Sequence, residues 1–258
     1  MAKAAPKTSP DDLPHSASVD PADVARFNAL GQQWWDLWGP MRALHKLNPT
    51  RVDYIRDILF EELAVTGPAE APLQGLSILD VGCGAGILSE PLARLGADMT
   101  SIDPAPVNIE VARAHAAEGG LSIDYRATTA EDLAATGAQF DAVLIMEVIE
   151  HVNDRTAFVA TAASMVKPGG FLFAATLNRT LKSYALAIVG AEYILRWVDR
   201  GTHNWHQFVT PQELAADFRA ADLEIYDRTG VVYNPIFDEW RTSDDCGVNY
   251  MMAAQKPK

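Results

Sequence analysis

The chain has 258 residues, of which 48% are hydrophobic, and its formal net charge is −13 at pH 7. This length suits one domain with a substantial core, and the negative charge argues against a nucleic-acid partner, because phosphate affinity depends on lysine and arginine. The two cysteines, Cys83 and Cys246, do not suggest a disulfide framework. They fit a reducing compartment, so we expect a cytoplasmic protein.

The N-terminal region divides into a tail and two predicted helices. Residues 1–20 are rich in Ala, Pro, Ser and Asp and lack the apolar core of a secretory signal, so we predict a disordered tail. Asp20-Pro21 is typical of a helix start and predicts a helix that runs toward Trp38. Asn48-Pro49-Thr50 predicts the start of a second helix.

Strand and helix patterns alternate from Ser77 onward, which is typical of a parallel sheet with helices on both faces. Two further strands near the end have no helix between them and predict an antiparallel edge pair. The sequence therefore predicts a seven-stranded, mostly parallel, Rossmann-like α/β fold within one domain at 21–258, whose N-terminal helices occupy 21–66. The predicted strands are 78–81, 98–102, 122–125, 140–146, 171–176, 224–233 and 248–255, and the predicted helices are 87–95, 107–117 and 155–166.

A glycine-rich turn follows the first of these strands, in the run Asp80-Val81-Gly82-Cys83-Gly84-Ala85-Gly86. Ile87 stands where a dinucleotide fingerprint requires glycine, and no Walker lysine follows. Asp103 ends the next strand, where its carboxylate can accept hydrogen bonds from ribose hydroxyls. The D-x-G-x-G-x-G pattern resembles motif I of the class I S-adenosylmethionine-dependent methyltransferases. We therefore expect S-adenosylmethionine as the cofactor, with Gly82 and Gly84 along its methionine end.

An apolar segment interrupts the predicted fold at 177–210. Residues 184–198 are apolar nearly all round and are flanked by basic side chains, among them Arg179 and Lys182. The run is shorter than the ~20 residues of a spanning helix and contains Glu192. Three interpretations stay open: a buried helix pair, a lid over an apolar substrate, or a segment in a membrane interface. In the last case the protein is peripheral on the inner face of the membrane.

Several separate segments together resemble the ubiquinone-biosynthesis O-methyltransferases, over about residues 23–255. The segments at 44–51 (LHKLNPTR) and 189–195 (VGAEYIL) are the most specific, whereas the glycine loop is shared by many methyltransferases. The other resembling segments are Phe27 with Trp34-Trp35-Asp36, and residues 146–152, 166–170, 176–179, 201–203, 233–235 and 248–251.

This resemblance implies the class I methyltransferase fold and methyl transfer from S-adenosylmethionine to a phenolic oxygen of polyprenylated ubiquinone precursors. In the family one enzyme acts on an early polyprenyl-hydroxyphenol and on the late demethylubiquinol. The resemblance implies cofactor contacts by Arg51 and Met146, besides Gly82, Gly84 and Asp103. It also implies two kinds of partner, namely a membrane surface reached through residues 177–203 and other enzymes of ubiquinone biosynthesis.

The acceptor hydroxyl needs help to react, because a phenol has a pKa near ~10. Glu147, Glu150 and His151 share one face if a helix begins at Glu147, next to the cofactor. Two carboxylates and an imidazole could then hold Mg²⁺, which lowers the pKa of the hydroxyl. Alternatively, His151 acts directly as general base. A third interpretation is an acid–histidine pair without a metal, and the sequence does not choose between them.

The sequence departs from the family pattern at three places. Ala85 replaces a common glycine, and Thr129 stands where many related enzymes place an acid near the adenine, so we expect Ala130 and Glu131 to contact the adenine through their backbone. Residues 236–246 resemble no segment of the family from which we transfer a role.

The rival functions are a methyltransferase of a small soluble phenol or amine and a non-catalytic lipid-binding or scaffold subunit.

Overall fold

A mixed β-sheet forms the centre of the computed structural model, which describes residues 18–63, 65, 67–184 and 205–258. Within these residues the sheet has eight strands. They are β1 Ser77–Val81, β2 Asp98–Asp103, β3 Asp124–Ala127, β4 Phe140–Met146, β5 Val166–Leu177, β6 Glu224–Asn234, β7 Glu239–Ser243 and β8 Asn249–Gln255.

Eight α-helices are present in the same described part of the chain, together with three short 3₁₀ helices at Gly31–Trp35, Ile149–His151 and Trp205–Gln207. Several α-helices begin with a capping side chain, as where Thr210 and Glu213 form a capping box. The α-helices are α1 Pro21–Asn28, α2 Arg42–Glu62, α3 Ser89–Arg94, α4 Pro106–Glu118, α5 Ala130–Ala134, α6 Arg155–Ser164, α7 Leu181–Ser183 and α8 Pro211–Ala220.

The strand order is β3-β2-β1-β4-β5-β8-β6-β7, and the first five strands of this order are parallel. Strands β8, β6 and β7 pair antiparallel at the other edge. The chain leaves β1 in one direction to form β2 and β3 and returns to the other side of β1 to form β4. The carboxyl ends of β1 and β4 therefore flank a topological switch point, where open α/β sheets bind ligands.

The sheet is buried on both faces, which explains why its central strands are continuously apolar. Neighbouring residues of β1 point to opposite sides. Ile78 packs in a cluster with Ile55 and Leu59 of α2, whereas Leu79 packs in a cluster with Phe158 of α6. Burial of both faces by different helices fixes the register of β1, because a shift of one residue would exchange the side chains between the two faces.

The α/β class is as predicted, but the predicted count of seven strands was wrong by one. The additional strand β7 lies within residues 236–246, for which the sequence predicted no strand or helix. Its residues are half-buried or exposed at the sheet edge, so they lack the apolar run that marks the inner strands.

Two predicted boundaries in the N-terminal helices were also wrong. The first helix ends at Asn28, and a separate 3₁₀ helix begins at Gly31, whose φ of +50° does not allow the α-helix to continue. The second helix begins at Arg42 and continues through Pro49 rather than beginning there. A proline removes a helical hydrogen bond, but the buried face of α2 stabilises the helix across it. That face comprises Leu47, Arg51, Val52, Tyr54, Ile55, Ile58 and Leu59.

The predicted tail and apolar insertion fall mainly on residues outside the described part of the chain, namely 1–17 and 185–204. The domain boundaries at 1–20, 21–258 and 177–210 therefore stay predictions. Among the described residues, no helix is long and apolar enough to cross a membrane.

Candidate active site

A cavity of about 770 Å³ lies at the carboxyl ends of β1, β2 and β4, under the N-terminal helices. It brings together residues that are up to 231 positions apart in the sequence, from Ser18 to Asn249. Gly84 is not among the lining residues, although Gly82 and Cys83 before it in the loop are. The predicted site residues that line the cavity are Arg51, Gly82, Asp103, Met146, Glu147, Glu150 and His151.

The glycine loop after β1 has a backbone that only glycine adopts easily. Gly82 and Gly84 have φ values of +71° and +54°. A Cβ at Gly82 would lie 2.6 Å from Val148, and one at Gly84 would lie 2.5 Å from the ring of Trp34. The loop therefore keeps its backbone bare where neighbouring side chains pack directly on it.

Asp103 connects this loop to the end of β2. Its carboxylate accepts hydrogen bonds from the backbone N–H of Gly84 at 2.9 Å, from the N–H of Ala105 at 2.8 Å and from the amide of Asn108 at 3.2 Å. Burial raises the pKa of Asp103 to about 6, although these three donors favour the charged form. The position suits the predicted contact with a ribose, which stays a prediction.

Trp34 and Trp35, on the 3₁₀ helix Gly31–Trp35, hold the N-terminal segment against the same loop. The indole N–H of Trp34 donates to Asn108 Oδ1 at 2.9 Å, and that of Trp35 donates to the carbonyl of Ala85 at 3.1 Å. Trp35 also stacks on His115 with ring centroids 3.5 Å apart. Asn108 was missed by the sequence reasoning, because nothing in its local sequence distinguishes it from other polar helix residues.

Arg51 is a buried cation at the cavity wall. Its Nη2 donates to Asn48 Oδ1 at 2.9 Å, and Asn48 in turn donates to the carbonyl of Ile87 at 2.7 Å. Its Nε is buried and has no hydrogen-bond partner. Burial lowers the pKa of Arg51, while the charges of Glu147 and Asp80 oppose this shift. An arginine with an unused donor suits the predicted contact with an anionic group of the cofactor, such as a carboxylate.

Glu147 directly follows β4 and has an unusual backbone, with a φ of +59°. Burial and the charge of Glu150 together raise the pKa of its carboxyl to about 7. Arg51 and the side-chain amide of Asn249 partly offset this shift. The Oε1 atom of Glu147 is buried without a hydrogen-bond partner. A cation or a hydrogen-bond donor from a ligand would stabilise this carboxylate.

Glu150 and His151 do not lie on a helix that begins at Glu147, so the predicted one-face arrangement was wrong. They belong to the 3₁₀ helix Ile149–His151. Glu150 accepts a hydrogen bond from the hydroxyl of Thr176 at 3.0 Å. His151 Nδ1 lies 3.1 Å from Asp23 of α1. In the described residues, no three histidine, cysteine or acidic side chains are grouped as a metal site.

The Asp23 contact determines the protonation of His151. Burial alone would lower the pKa of this imidazole, but the hydrogen bond to Asp23 and the charge of Glu150 raise it overall. Phe27 of the same helix packs edge-on against the ring, with centroids 5.4 Å apart. The helix α1 is itself held over the cavity by a short bridge between Val19 and Val152.

Two further predicted positions are explained by their surroundings. Met146 is buried at the end of β4 and lines the cavity. Thr129 accepts a hydrogen bond from the N–H of Asp132 at 3.1 Å and so caps α5. Ala130 and Glu131, which follow it, line the cavity, and their contact with the adenine stays a prediction.

Comparison with known proteins places this site in a family. A model of the methyltransferase domain matches residues 51–227. A ubiquinone biosynthesis O-methyltransferase of Methylocella silvestris is 60% identical, over 93% of this chain and 96% of that protein. Proteins of the same name from Methylobacterium nodulans and Brucella ovis are 57% and 52% identical, each over 93% of this chain and 96% and 97% of the relative. The chain belongs to the ubiquinone biosynthesis O-methyltransferase family.

Solved structures of lower identity agree on the fold. The magnesium protoporphyrin IX methyltransferase of Synechocystis aligns with a TM-score of 0.62 at 20% identity, over 91% of this chain and 98% of that one. A methyltransferase of Thermotoga maritima aligns with a TM-score of 0.56 at 18% identity, over 89% and 99%. The predicted family, the class I methyltransferase fold and the O-methyltransferase activity are thereby confirmed. The roles of individual site residues stay predictions.

The contact between Gly84 and Trp34 generates a prediction about cofactor binding. We expect Gly84→Ala to weaken S-adenosylmethionine binding about tenfold or more, or ~1.4 kcal/mol, because the new methyl group displaces the Trp34 ring from the loop. Gly137 provides the control, since its φ is +76° but nothing lies within 4 Å of an added Cβ. Gly137→Ala should carry only backbone strain, and equal affinities of the two variants in titration calorimetry would contradict the prediction.

Proposed function

We propose that this chain transfers a methyl group from S-adenosylmethionine to a phenolic hydroxyl of polyprenylated ubiquinone precursors. The observation that carries the proposal is a single cavity, in which the glycine loop and Asp103 share one space with Glu147 and His151. A cofactor held by the first pair would present its methyl group to an acceptor held by the second. Methyl transfer requires such an alignment, because it is an in-line displacement. The name of the relatives supports the substrate class.

The cofactor half of the cavity has a donor or acceptor for each end of S-adenosylmethionine. Asp103 accepts hydrogen bonds from the ribose hydroxyls, and Gly82 lies along the methionine portion, while Gly84 holds the loop to Asp103 behind the cavity wall. Arg51 donates its unused Nε–H to the methionine carboxylate, and Met146 packs against the cofactor. The negative charges of Asp80, Asp103 and Glu147 around this space favour a positively charged sulfonium.

The acceptor half has two groups that can remove the phenolic proton. Glu147 has a pKa of about 7 and is therefore poised to accept a proton at neutral pH. His151 is the alternative base, oriented by Asp23 as a histidine is oriented by a carboxylate in catalytic triads.

The described residues group no three ligands for a metal ion, so a bound Mg²⁺ would rest on two carboxylates: Oε1 of Glu147 lacks a partner, and the neighbouring Glu150 carries the same charge. Glu147 and Glu150 would hold the ion through oxygen atoms, with His151 as the third predicted ligand. The ion would supply a lower pKa for the acceptor hydroxyl.

Methyl transfer from labelled S-adenosylmethionine to a short-chain demethylubiquinol tests the proposal. We expect turnover that EDTA abolishes and added Mg²⁺ restores. Turnover that is insensitive to EDTA would support the assigned methyltransferase activity and contradict the proposed metal. His151 or Glu147 would then be the base. Absence of turnover on this quinol, with turnover on a small soluble phenol or amine, would replace the proposed substrate by the rival class.

The raised pKa of Glu147 predicts that its removal stabilises the protein. Between its ordinary pKa of 4.5 and about 7, the folded state holds a proton that the unfolded state has lost, so stability falls as pH rises through this window. At pH 8 with EDTA, Glu147→Gln should increase the free energy of unfolding by on the order of 1–3 kcal/mol. The difference in the free energy of unfolding should vanish below pH 4.5. Methyl transfer by the Glu147→Gln variant should be slower by ~10²-fold.

Urea denaturation at pH 8 and at pH 4 measures this difference directly. Glu61→Gln is the control, because Glu61 is exposed on α2 and its substitution should change stability at neither pH. A destabilised Glu147→Gln protein at pH 8 would contradict the assigned environment of this carboxyl.

We also propose that residues 177–203 contact a membrane surface, on the cytoplasmic side where the precursors reside. The described part of this segment supports the proposal, since Leu181 is 83% exposed and Tyr184 is 47% exposed. The basic side chains nearby are engaged, because Arg179 pairs with Glu213 and Lys182 pairs with Asp245. The association should therefore depend more on apolar burial than on anionic lipid. The same surface could bring other enzymes of ubiquinone biosynthesis near the substrate.

Flotation with lipid vesicles tests this contact. We expect the protein to float with the vesicles at low salt and, to nearly the same extent, at high salt. The double variant Leu181→Asp with Tyr184→Asp should float less, because two charges replace the exposed apolar groups. Phe60→Asp is the matched control, since Phe60 is half-exposed on α2. Equal flotation of all three proteins, or of none, would count against the contact.

A further inference from the structure

Asn249 is a buried polar residue of the cavity to which neither the sequence nor the proposed reaction has given a role. It is the first residue of β8 and lies between Leu177 of β5 and Val231 of β6 in the sheet. Its side chain is 5% exposed and lines the same cavity as Glu147. A buried amide at an interior position between two strands is costly unless its polar atoms are paired.

One polar atom of this amide is unpaired. The Asn249 side chain lies near Glu147 and favours the charged form of that carboxylate. The Oδ1 atom is buried and has no hydrogen-bond partner. Most buried side-chain oxygens in folded proteins have a partner. An unpaired acceptor held in place beside Glu147 therefore indicates a donor that arrives with a ligand.

The position of β8 assigns that donor to the acceptor substrate rather than to the cofactor. Gly82 and Asp103 lie at the ends of β1 and β2, and β4 and β5 separate β1 from β8; Met146, the cofactor residue nearest to β8, ends β4 and is still separated from β8 by β5. Neighbouring strands are ~4.8 Å apart, so β8 lies about 14 Å from β1. The amide therefore borders the half of the cavity in which Glu147 receives the phenol.

We propose that Asn249 is a positioning residue that accepts a hydrogen bond from the ring hydroxyl beside the one that is methylated; this inference rests on the proposed function. The reacting hydroxyl gives its proton to a base, and an amide oxygen cannot take one at neutral pH. The neighbouring hydroxyl keeps its proton and donates it to Oδ1. Asn249 thus selects rings with two adjacent hydroxyls and fixes which of them faces the methyl group.

A ring that lacks the neighbouring hydroxyl would leave Oδ1 buried and unpaired. Sites that hydrogen-bond a substrate hydroxyl reject analogues without it far more strongly than apolar pockets reject a missing methylene group. We expect the wild-type enzyme to favour the dihydroxy ring over a matched ring with hydrogen or methoxy at the neighbouring position by about 10- to 100-fold in kcat/KM. The difference should lie mainly in KM, because the bond is present before and during transfer.

The experiment measures kcat and KM for this substrate pair in the wild type, Asn249→Ala and Asn249→Ser, with S-adenosylmethionine affinity from calorimetry. Asn249→Ala should reduce the preference to about threefold or less, by raising KM for the dihydroxy ring, while cofactor affinity stays unchanged. Asn249→Ser keeps a shorter acceptor and should be intermediate, and it carries the test alone if the alanine variant does not fold.

The matched control is Asn178→Ala. Asn178 is a similarly buried asparagine just after β5, but its amide donates to the carbonyl of Cys246 at 2.7 Å and it does not line the cavity. This variant should lose stability and keep the full preference. An undiminished preference in both Asn249 variants would overturn the inference and leave the proposed function intact. Weaker cofactor binding without a change in preference would assign Asn249 to the cofactor and also overturn it. A wild type that methylates neither ring would instead overturn the proposed function itself.

Discussion

Direct packing of Trp34 on the bare backbone of Gly84 is the constraint on which the site depends. The contact leaves no room for a side chain in the loop. It also belongs to a closed set of bonds, since Trp34 donates to Asn108, Asn108 donates to Asp103, and Asp103 accepts from Gly84. The N-terminal segment is therefore a structural part of the cofactor site and not an appendage to the sheet.

The charges of the cavity reinforce this arrangement. Burial raises the pKa of Asp80 and of Asp103 to about 6, and that of Glu147 to about 7, so three acids lie at the edge of ionisation around one buried arginine. Each of these shifts reports a carboxylate that lacks full compensation in the protein alone. A cationic cofactor would supply the missing charge, and the cavity would then bind it most tightly when all three acids are ionised.

Local sequence was enough to predict the parts of the molecule that depend on neighbouring residues. Gly82, Gly84 and Asp103 lie on consecutive strand ends, and their spacing alone placed them together. The contacts of Asn108 and Asn249 were not predictable, because each depends on packing between segments that are distant in the sequence. The passage of α2 through Pro49 was missed because tertiary burial overrode the local signal, and β7 was missed because an edge strand without buried residues carries no apolar run.

Glu147 shows why those distant contacts matter for the reaction. Its positive φ, its burial and the nearby charge of Glu150 are each unfavourable, and a residue in such a state persists only where its surroundings hold it. Arg51 from α2 and Asn249 from β8 offset its charge together with the nearby His151, and these first two groups come from opposite ends of the chain. The sheet fixes where Glu147 stands, but the helix before the sheet and the strand at its end determine its protonation. The reactivity of the site is thus a property of the whole chain, which explains why the glycine loop alone identifies the class of enzyme and not its substrate.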